Sequence, residues 1–224
     1  MIIEKVLTGV SFRVNTYIIG CEKTKKGVVI DPGGNISEIM KIIKKLGLTI
    51  EYIFNTHYHA DHTGGNRRLK KITGAKILIH TDDVCYLRKI IDEIKFVTFH
   101  FSLSPVPDIM VSDEINIIVG EINFKIYYTP GHTPGGICFY SEGKLFTGDT
   151  LFVGDSGTTN LKGGDRAKLG ASIRRIMREL SDDTIIYPGH DYGPTPTSTL
   201  FWEKRNNINA KEYGYLEEDV DEGI

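Results

Sequence analysis

Residues 56–66 read THYHADHTGGN, and they place His57, His59, Asp61 and His62 within six positions. The whole chain has only seven histidines. A single histidine is usually a hydrogen-bonded core or surface residue, but four ligand-type side chains directly after an apolar strand indicate a divalent metal such as zinc. Alternate side chains of an extended segment share a face, so we expect His57, His59 and Asp61 to project together.

Three further residues follow the same pattern, each in a tight turn after an apolar strand. They are His132 in YYTPGHTPGG, Asp149 in LFTGDT and His190 in IIYPGH. Turns at one rim of a layered sheet structure can converge on one site, which would then hold five of the seven histidines. Seven ligands exceed the needs of one tetrahedral ion, and they indicate two metals about 3.5–4 Å apart with a shared carboxylate.

Composition narrows the class of protein. The 224 residues carry a formal net charge of −2, which gives no electrostatic reason to expect nucleic acid. We expect no membrane span, because no apolar run approaches about 18 residues, and the N-terminus lacks the features of a signal peptide. Three cysteines without a CxxC pattern favour a reducing cytoplasm over a disulfide framework. The expected partner is a small molecule, with a homodimer left open.

The periodicity predicts an α/β protein of two β-sheets covered by helices. Apolar residues at helical spacing predict helices over 35–48 and 166–180, and the first of these should end at Gly47. Four successive strands are expected between residues 114 and 152, whereas residues 81–112 look less regular. We predict one domain over 1–210 and a mobile acidic tail over 211–224.

The motifs HxHxDH, GHT, GDT and PGH, at gaps of 70, 17 and 41 residues, resemble those of the metallo-β-lactamase superfamily. The resemblance extends from residue 1 to about 205 and implies an αββα sandwich of two mixed β-sheets flanked by helices. It also implies two metal sites. The first metal is held by His57, His59 and His132, the second by Asp61, His62 and His190, and Asp149 bridges them.

Within that superfamily, THYHADHTGGN and GDTLF look like glyoxalase II, a hydroxyacylglutathione thioesterase. The stretch IIYPGHDYGPTPTSTLFWEKRNN looks more like persulfide dioxygenases and short glyoxalase II-like hydrolases. Two departures lead us to expect weak use of glutathione. The chain ends before the helical domain that glyoxalase II adds, and Gly157–Asn160 reads GTTN where relatives tend to carry an arginine. Nothing in the sequence favours β-lactamase activity.

The resemblance implies hydrolysis of a small thioester or ester by a metal-bridging hydroxide, with zinc as the expected metal and iron or manganese as alternatives. Asp61 would orient the nucleophile and carry the proton to the leaving group. The alternative is a persulfide dioxygenase with one Fe(II) on His57, His132 and Asp149, the two-histidine, one-carboxylate set of non-haem oxygenases. A phosphodiesterase or ribonuclease, and a metal-binding protein without catalysis, are weaker hypotheses.

Some residues are given lesser roles. Tyr192 and Lys162 are candidate substrate contacts, whereas His80 and His100 are not expected to bind metal. Asp31, in VVIDPGG, is interpreted as a turn residue, because Asx-Pro-Gly is typical of turns. Tyr58 and Cys138 are assigned to packing. The stretch TLFWEKRNN is either a dimer contact or part of the core.

Overall fold

The structure is a computed structural model, and it describes residues 1–9, 13–94, 104–112, 114–209 and 212, without the side chains of 88–94. The described strands are β1 Ile2–Thr8, β2 Val14–Gly20, β3 Lys26–Ile30, β4 Thr49–Phe54, β5 Lys76–His80, β6 Ile109–Val111, β7 Asn116–Val119, β8 Ile122–Tyr128, β9 Ile137–Ser141, β10 Lys144–Gly148, β11 Ile185–Pro188 and β12 Ser198–Thr199. The described helices are α1 Ile36–Leu46, α2 Ala60–Thr63, α3 Asn66–Thr73, α4 Thr81–Ile94, α5 Arg166–Glu179 and α6 Leu200–Asn206.

The strands form two six-stranded sheets, with the orders β1-β2-β3-β4-β5-β6 and β12-β11-β10-β9-β8-β7. In the first sheet β1, β2 and β3 are antiparallel, and β3 to β6 are parallel. In the second sheet β10 and β11 are parallel, and the other neighbours are antiparallel. Both sheets are therefore mixed, which confirms the predicted αββα sandwich.

Aromatic and aliphatic side chains from both sheets fill the layer between them. Phe54, the last residue of β4, stacks on Phe139 with ring centroids 4.6 Å apart and meets Phe124 edge-on at 5.5 Å. Such aromatic pairs contribute about 0.5–1.5 kcal/mol beyond the burial of their area. His57 follows Phe54 by three residues, so the strand that leads to the histidines is anchored in the aromatic core between the sheets.

Amphipathic helices cover the outer faces of the two sheets. The helices α1 and α3 bury Ile39, Ile43 and Leu69 against the first sheet. On the second sheet, α5 packs through Leu169 and Ile173, and α6 packs through Leu200. The predicted end of α1 is confirmed. Gly47 has a left-handed φ of 66° that favours glycine, and its N–H caps the last turn of the helix.

Strand direction brings the predicted ligand turns to one edge of the sandwich. Because β8 and β10 are both antiparallel to β9, and β11 is parallel to β10, the turns after β8, β10 and β11 emerge at the same edge. The carboxyl ends of the parallel strands β3 and β4 face the same place. The two sheets are joined there by a 2.9 Å hydrogen bond from the Ile137 N–H to the Thr56 carbonyl.

Two sequence-based expectations need comment. Residues 81–112 are more regular than expected, because α4 occupies Thr81–Ile94 and β6 adds Ile109–Val111. The predicted tail over 211–224 and His100 lie outside the described residues, apart from Glu212, which pairs with Arg166. The division into one domain and a tail stays a prediction. Across the part of the chain that the structure describes, no helix is both long enough and apolar enough to cross a bilayer.

Candidate metal centre

All seven predicted ligands converge at the edge where the strand ends meet. Their ligand atoms form three groups in which the atoms lie within 4.8 Å of one another. The first trio is His57, His59 and His132; the second trio is Asp61, His62 and His190; the third group is His57, His62 and Asp149. We refer to the seven residues together as the metal centre.

Asp149 lies between the two trios, where a bridging carboxylate is expected. Its Oδ2 atom is 3.5 Å from Nε2 of His132, in the first trio, and 3.4 Å from Nε2 of His190, in the second. Its Oδ1 atom is 3.3 Å from Nε2 of His62. Gly189 makes room for this approach, because a Cβ atom there would lie 2.5 Å from Oδ1 of Asp149.

In an extended segment Asp61 would project on the same side as His57 and His59. In the structure it does not. Residues Ala60–Thr63 form the short helix α2, so the chain turns after His59 and carries Asp61 to the other side of the centre. There its Oδ2 atom lies 3.6 Å from Nε2 of His190 and 3.8 Å from Nε2 of His62. The expectation of one shared face was wrong for this residue, because successive helical side chains diverge by about 100°.

Backbone carbonyls fix the orientation of two ligand rings. Nδ1 of His132 donates to the Thr158 carbonyl at 2.7 Å, and Nδ1 of His190 donates to the Arg13 carbonyl at 2.7 Å. A carbonyl oxygen can only accept, so Nδ1 carries the proton in both rings. Nε2 then carries no proton, and its lone pair points into the centre. This is the usual arrangement for a histidine that binds metal.

Asp31 orients two more ligand rings, and sequence reasoning missed this role. The carboxylate is buried; its Oδ2 accepts from His62 Nδ1 at 2.9 Å and from Thr56 Oγ1 at 2.7 Å. Thr56 Oγ1 in turn accepts from Nδ1 of His57 at 3.0 Å. Asp31 also lies in a turn, with a φ of 50°. The available signal was its position at the end of β3, beside the strand that leads to the histidines.

The positions of the ligand atoms in the centre suit bound metal cations. His62 and His190 each donate through Nδ1, yet their Nε2 atoms face each other at 3.4 Å. Two lone pairs at that distance repel unless a proton or a metal ion lies between them, and two nitrogens at 2.0–2.1 Å from a tetrahedral zinc would be about 3.3 Å apart. Nε2 of His57 and Oδ1 of Asp149 are buried without a hydrogen-bond partner among the described residues. The residues present therefore fit divalent metal ions.

The local charges favour the neutral form of His57 and His59 and the protonated form of His62. Burial, followed by the neighbouring His62 and His59, holds the pKa of His57 well below its usual value. Burial also lowers the pKa of His59 to about 3, so both rings are neutral. Burial acts to lower the pKa of His62 as well, but Asp149 and the other carboxylates beside it outweigh that effect and raise the pKa. Carboxylates that favour a proton on His62 also favour a divalent cation there.

The candidate substrate contacts lie at the rim of the centre, which we define as Thr158, Lys162 and Tyr192. The Tyr192 ring stacks on the His190 ring with centroids 4.9 Å apart and planes 7° apart, and 64% of the residue is exposed. Lys162 is exposed, and its backbone carbonyl accepts from the Tyr58 hydroxyl at 3.1 Å. Tyr192 therefore touches a predicted ligand, whereas the Lys162 side chain has no described contact with the centre.

The remaining assignments concern packing. His80 is buried, stacks on Tyr128 at 4.2 Å and belongs to none of the three ligand groups. Tyr58 and Cys138 are buried as predicted. The stretch TLFWEKRNN lies mainly in α6, where Leu200 is buried in the core of the second sheet.

Comparison with known proteins identifies relatives with this fold and motif set. Residues 10–190 match the family model described as the metallo-beta-lactamase superfamily. The hydroxyacylglutathione hydrolase GloC of Haemophilus influenzae is 33% identical over 216 residues, which cover 92% of this chain and 98% of that protein.

Solved structures give a similar result. The B3 metallo-beta-lactamase BLEG-1 superposes with a TM-score of 0.84, at 28% identity and with 93% of this chain and 99% of that one covered. TTHA1623 in a di-iron-bound form gives 0.81, at 28% identity and with 92% and 98% covered. ETHE1 from Myxococcus xanthus gives 0.80, also at 28% identity and with 96% and 88% covered. These neighbours share the fold although their names differ.

Proposed function

The chain belongs to the metallo-β-lactamase superfamily, and we propose that it is a metal-dependent hydrolase of small thioesters of the glyoxalase II kind. One observation carries the proposal. Two buried groups of ligand atoms, each able to hold a cation, are joined by the single carboxylate of Asp149. This is the donor set that a pair of divalent ions needs.

We propose two ions per chain, with zinc as the metal. The first trio would hold one ion, the second trio the other, and Asp149 would contact both. Five imidazoles and two carboxylates suit zinc, which takes nitrogen and oxygen ligands and keeps one position open for water in catalytic sites. When bound, the pair would lower the pKa of a shared water towards neutrality and supply hydroxide.

The reaction transfers the acyl group of a thioester to water. A bond forms between the water oxygen and the carbonyl carbon, the carbon–sulfur bond breaks, and the leaving thiolate takes a proton. We assign the handling of that proton to Asp61. Its side chain is 20% exposed, compared with 10% for Asp149 and 0% for His62, so Asp61 is the more accessible of the two acidic ligands. A positioned carboxylate of this kind typically contributes about 10²–10⁴-fold.

The rim supports a substrate with a polar thiol part. The exposed Tyr192 offers a hydroxyl beside His190, and Lys162 offers a cation at the loop that contacts Tyr58. GloC of Haemophilus influenzae is named a hydroxyacylglutathione hydrolase and has nearly the same extent as this chain. We therefore propose S-hydroxyacyl thioesters as the substrate class. The three unpaired cysteines support a reducing, cytoplasmic location.

Metal analysis combined with thioester turnover tests the proposal. Protein purified without oxygen should contain about two divalent ions per chain and should hydrolyse S-lactoylglutathione or a short neutral thioester. Chelation should abolish turnover, and zinc should restore it. One tightly held iron per chain, with no thioester cleavage after zinc reconstitution, would reject this function.

A persulfide dioxygenase is the second candidate, and the likeness to ETHE1 favours it. In this case His57, His132 and Asp149 would hold a single Fe(II), with two histidines and one carboxylate on one face of the ion. The same preparation distinguishes the two candidates. Oxygen consumption with glutathione persulfide, which a hydrolase would not show, identifies the dioxygenase.

A further inference from the structure

A buried carboxylate outside the metal centre joins two of the loops that supply its ligands. Asp83 lies in the first turn of α4 and has no exposed surface. Its Oδ2 atom accepts from the Tyr58 N–H at 3.0 Å and from the Thr133 hydroxyl at 2.9 Å. Its Oδ1 atom accepts from the Gly135 N–H at 2.6 Å. Both carboxylate oxygens are therefore used, and all three partners are donors.

The positions of the three donors are informative. Tyr58 lies between His57 and His59, while Thr133 follows His132. The three hydrogen bonds thus connect the two backbone segments that carry the whole first trio. None of the three donors belongs to the second trio, whose His62 and His190 rings are oriented by Asp31 and by the Arg13 carbonyl.

His59 depends most on this connection. Its Nδ1 atom faces Nε2 of His132 at 3.0 Å, and among the described residues no carbonyl or carboxylate accepts from its ring. The orientation of the ring is therefore set by its backbone and by packing on Tyr58, whose ring lies 4.5 Å away. Asp83 holds that backbone by its bond to the neighbouring N–H.

The loop around residue 135 is shaped for this contact. A Cβ atom on Gly135 would lie 2.7 Å from both Cγ and Oδ1 of Asp83, so only glycine allows the approach. Burial raises the pKa of Asp83 to about 7, although its three hydrogen bonds act in the opposite direction. An apolar side chain in its place would leave the Tyr58, Thr133 and Gly135 donors buried without an acceptor.

We propose that Asp83 is a positioning residue that sets the geometry of the first trio and, through it, the affinity for one of the two metals. The inference rests on the proposed binuclear centre. It predicts a selective effect: loss of the carboxylate weakens metal binding by the first trio and leaves the second trio unaffected. Partners of metal ligands typically change metal affinity by about 10–100-fold when they are removed.

The test compares Asp83→Asn with two control variants from the same helix. In this variant an NH₂ group replaces one carboxylate oxygen. That NH₂ group would face a backbone N–H donor, with which it cannot form a hydrogen bond. Asp82→Asn changes the neighbouring acid, which is exposed and accepts from the Tyr128 hydroxyl. Leu87→Ala removes a buried side chain that packs near Tyr58 but keeps the carboxylate, so it separates loss of packing from loss of the three hydrogen bonds.

The first measurement is metal binding by competition with a chelator, together with the absorption spectrum of the cobalt-substituted protein. In Asp83→Asn the affinity for one of the two metal equivalents should fall by about 10–100-fold, as it does when other partners of ligands are removed. The controls should bind both equivalents like the wild type. Equal weakening of both equivalents, an unchanged affinity, or the same effect in Leu87→Ala would overturn the proposal.

The second measurement uses the metal-free protein, so that it remains valid if the proposed function fails. The amides of Tyr58 and Gly135 should exchange hydrogen faster in Asp83→Asn than in the wild type, and they should be unaffected in Asp82→Asn. If Asp83→Asn does not fold, Thr133→Val removes one of the three donors at nearly constant volume and should give a smaller shift in the same direction. Protected amides in a folded variant would contradict the positioning role.

Discussion

The metal centre and its rim are built by different means. In the centre His57, His62 and His132 are buried, and each ring nitrogen that does not face the centre donates to a carbonyl, hydroxyl or carboxylate. At the rim the side chains of Lys162 and Tyr192 are exposed. From this difference we predict that the fold fixes the geometry of the ligands, while exposed side chains that can change without moving a ligand set the preference for substrate.

Thr158 belongs to the rim but also contacts the metal centre, so it marks the boundary between the two. Its backbone carbonyl accepts from Nδ1 of His132, and its side chain is exposed. Gly157 makes this possible, because a Cβ atom there would lie 2.0 Å from the Asp149 carbonyl and 2.9 Å from Nδ1 of His132. A side-chain change at Thr158 should therefore alter the rim alone.

The largest effect is expected for a ligand of the centre. His132→Ala removes a ligand atom that faces both His59 and Asp149. The loss of several kcal/mol of charge stabilisation corresponds to a fall in kcat/KM of about a thousandfold. Elemental analysis should show that at least one metal equivalent is lost.

His80→Ala is the matched control for that substitution. His80 is also buried, but it stacks on Tyr128 and belongs to no ligand group. The control should lower thermal stability while metal content and turnover stay near the wild-type values. If His80→Ala lost metal as severely as His132→Ala, the assignment of ligands would be wrong.

An intermediate effect is expected for the carboxylate that orients the rings. In Asp31→Asn an amide N–H₂ would replace the oxygen that accepts from His62, which favours a proton on Nε2 of that ring and blocks the metal. Asparagine tolerates the φ of 50° at this position. Metal affinity, measured against a chelator, should fall by about 10–100-fold.

Asp191→Asn provides the comparison, because Asp191 directly follows His190 in the chain. Its carboxylate accepts from Lys5 and Asn15 and has no hydrogen bond to a ligand ring among the described contacts. Its substitution should leave metal affinity unchanged. Equal losses in the two variants would mean that general negative charge, and not ring orientation, governs metal binding.

The centre could be predicted from sequence because its information is local. Each ligand follows an apolar strand and lies in a short turn, so strand order alone brings His57, His132, Asp149 and His190 to one edge. The direction of Asp61 was not predictable from alternation, because α2 begins at Ala60 and turns the chain. Resemblance to a family supplied a grouping that agrees with the two trios of neighbouring ligand atoms, where periodicity did not.

The supporting residues were harder to predict, because their contacts are distant in the chain. Asp31 bonds to His62 across 31 positions, and Asp83 bonds to Gly135 across 52. Such pairs have no signature in one sequence. The helix α4 was missed for a related reason: few of its residues with described side chains are buried, so its apolar periodicity is weak.

The smallest expected effect concerns the rim and tests whether it governs the choice of substrate. Thr158→Arg places a cation where the resemblance to glyoxalase II leads us to expect one, and the carbonyl that holds His132 remains in place. The substitution removes only one described side-chain bond, a 3.3 Å contact in which the Thr158 hydroxyl accepts from the Asn160 N–H. Metal content should therefore match that of the wild type.

A charge-assisted hydrogen bond to a glutathione carboxylate contributes about 1.5–3 kcal/mol. If it forms in the transition state, kcat/KM for S-lactoylglutathione should rise about tenfold or more relative to a short neutral thioester.

Thr158→Gln is the control, because it adds a longer side chain without the charge. It should leave the ratio of the two kcat/KM values unchanged. Because the new contact is exposed, the gain should shrink as salt is added. Steady-state kinetics of the three proteins on both substrates decide the matter. A wild type that already prefers the glutathione ester, with a ratio that neither substitution moves, would show that the rim at this position does not select the substrate.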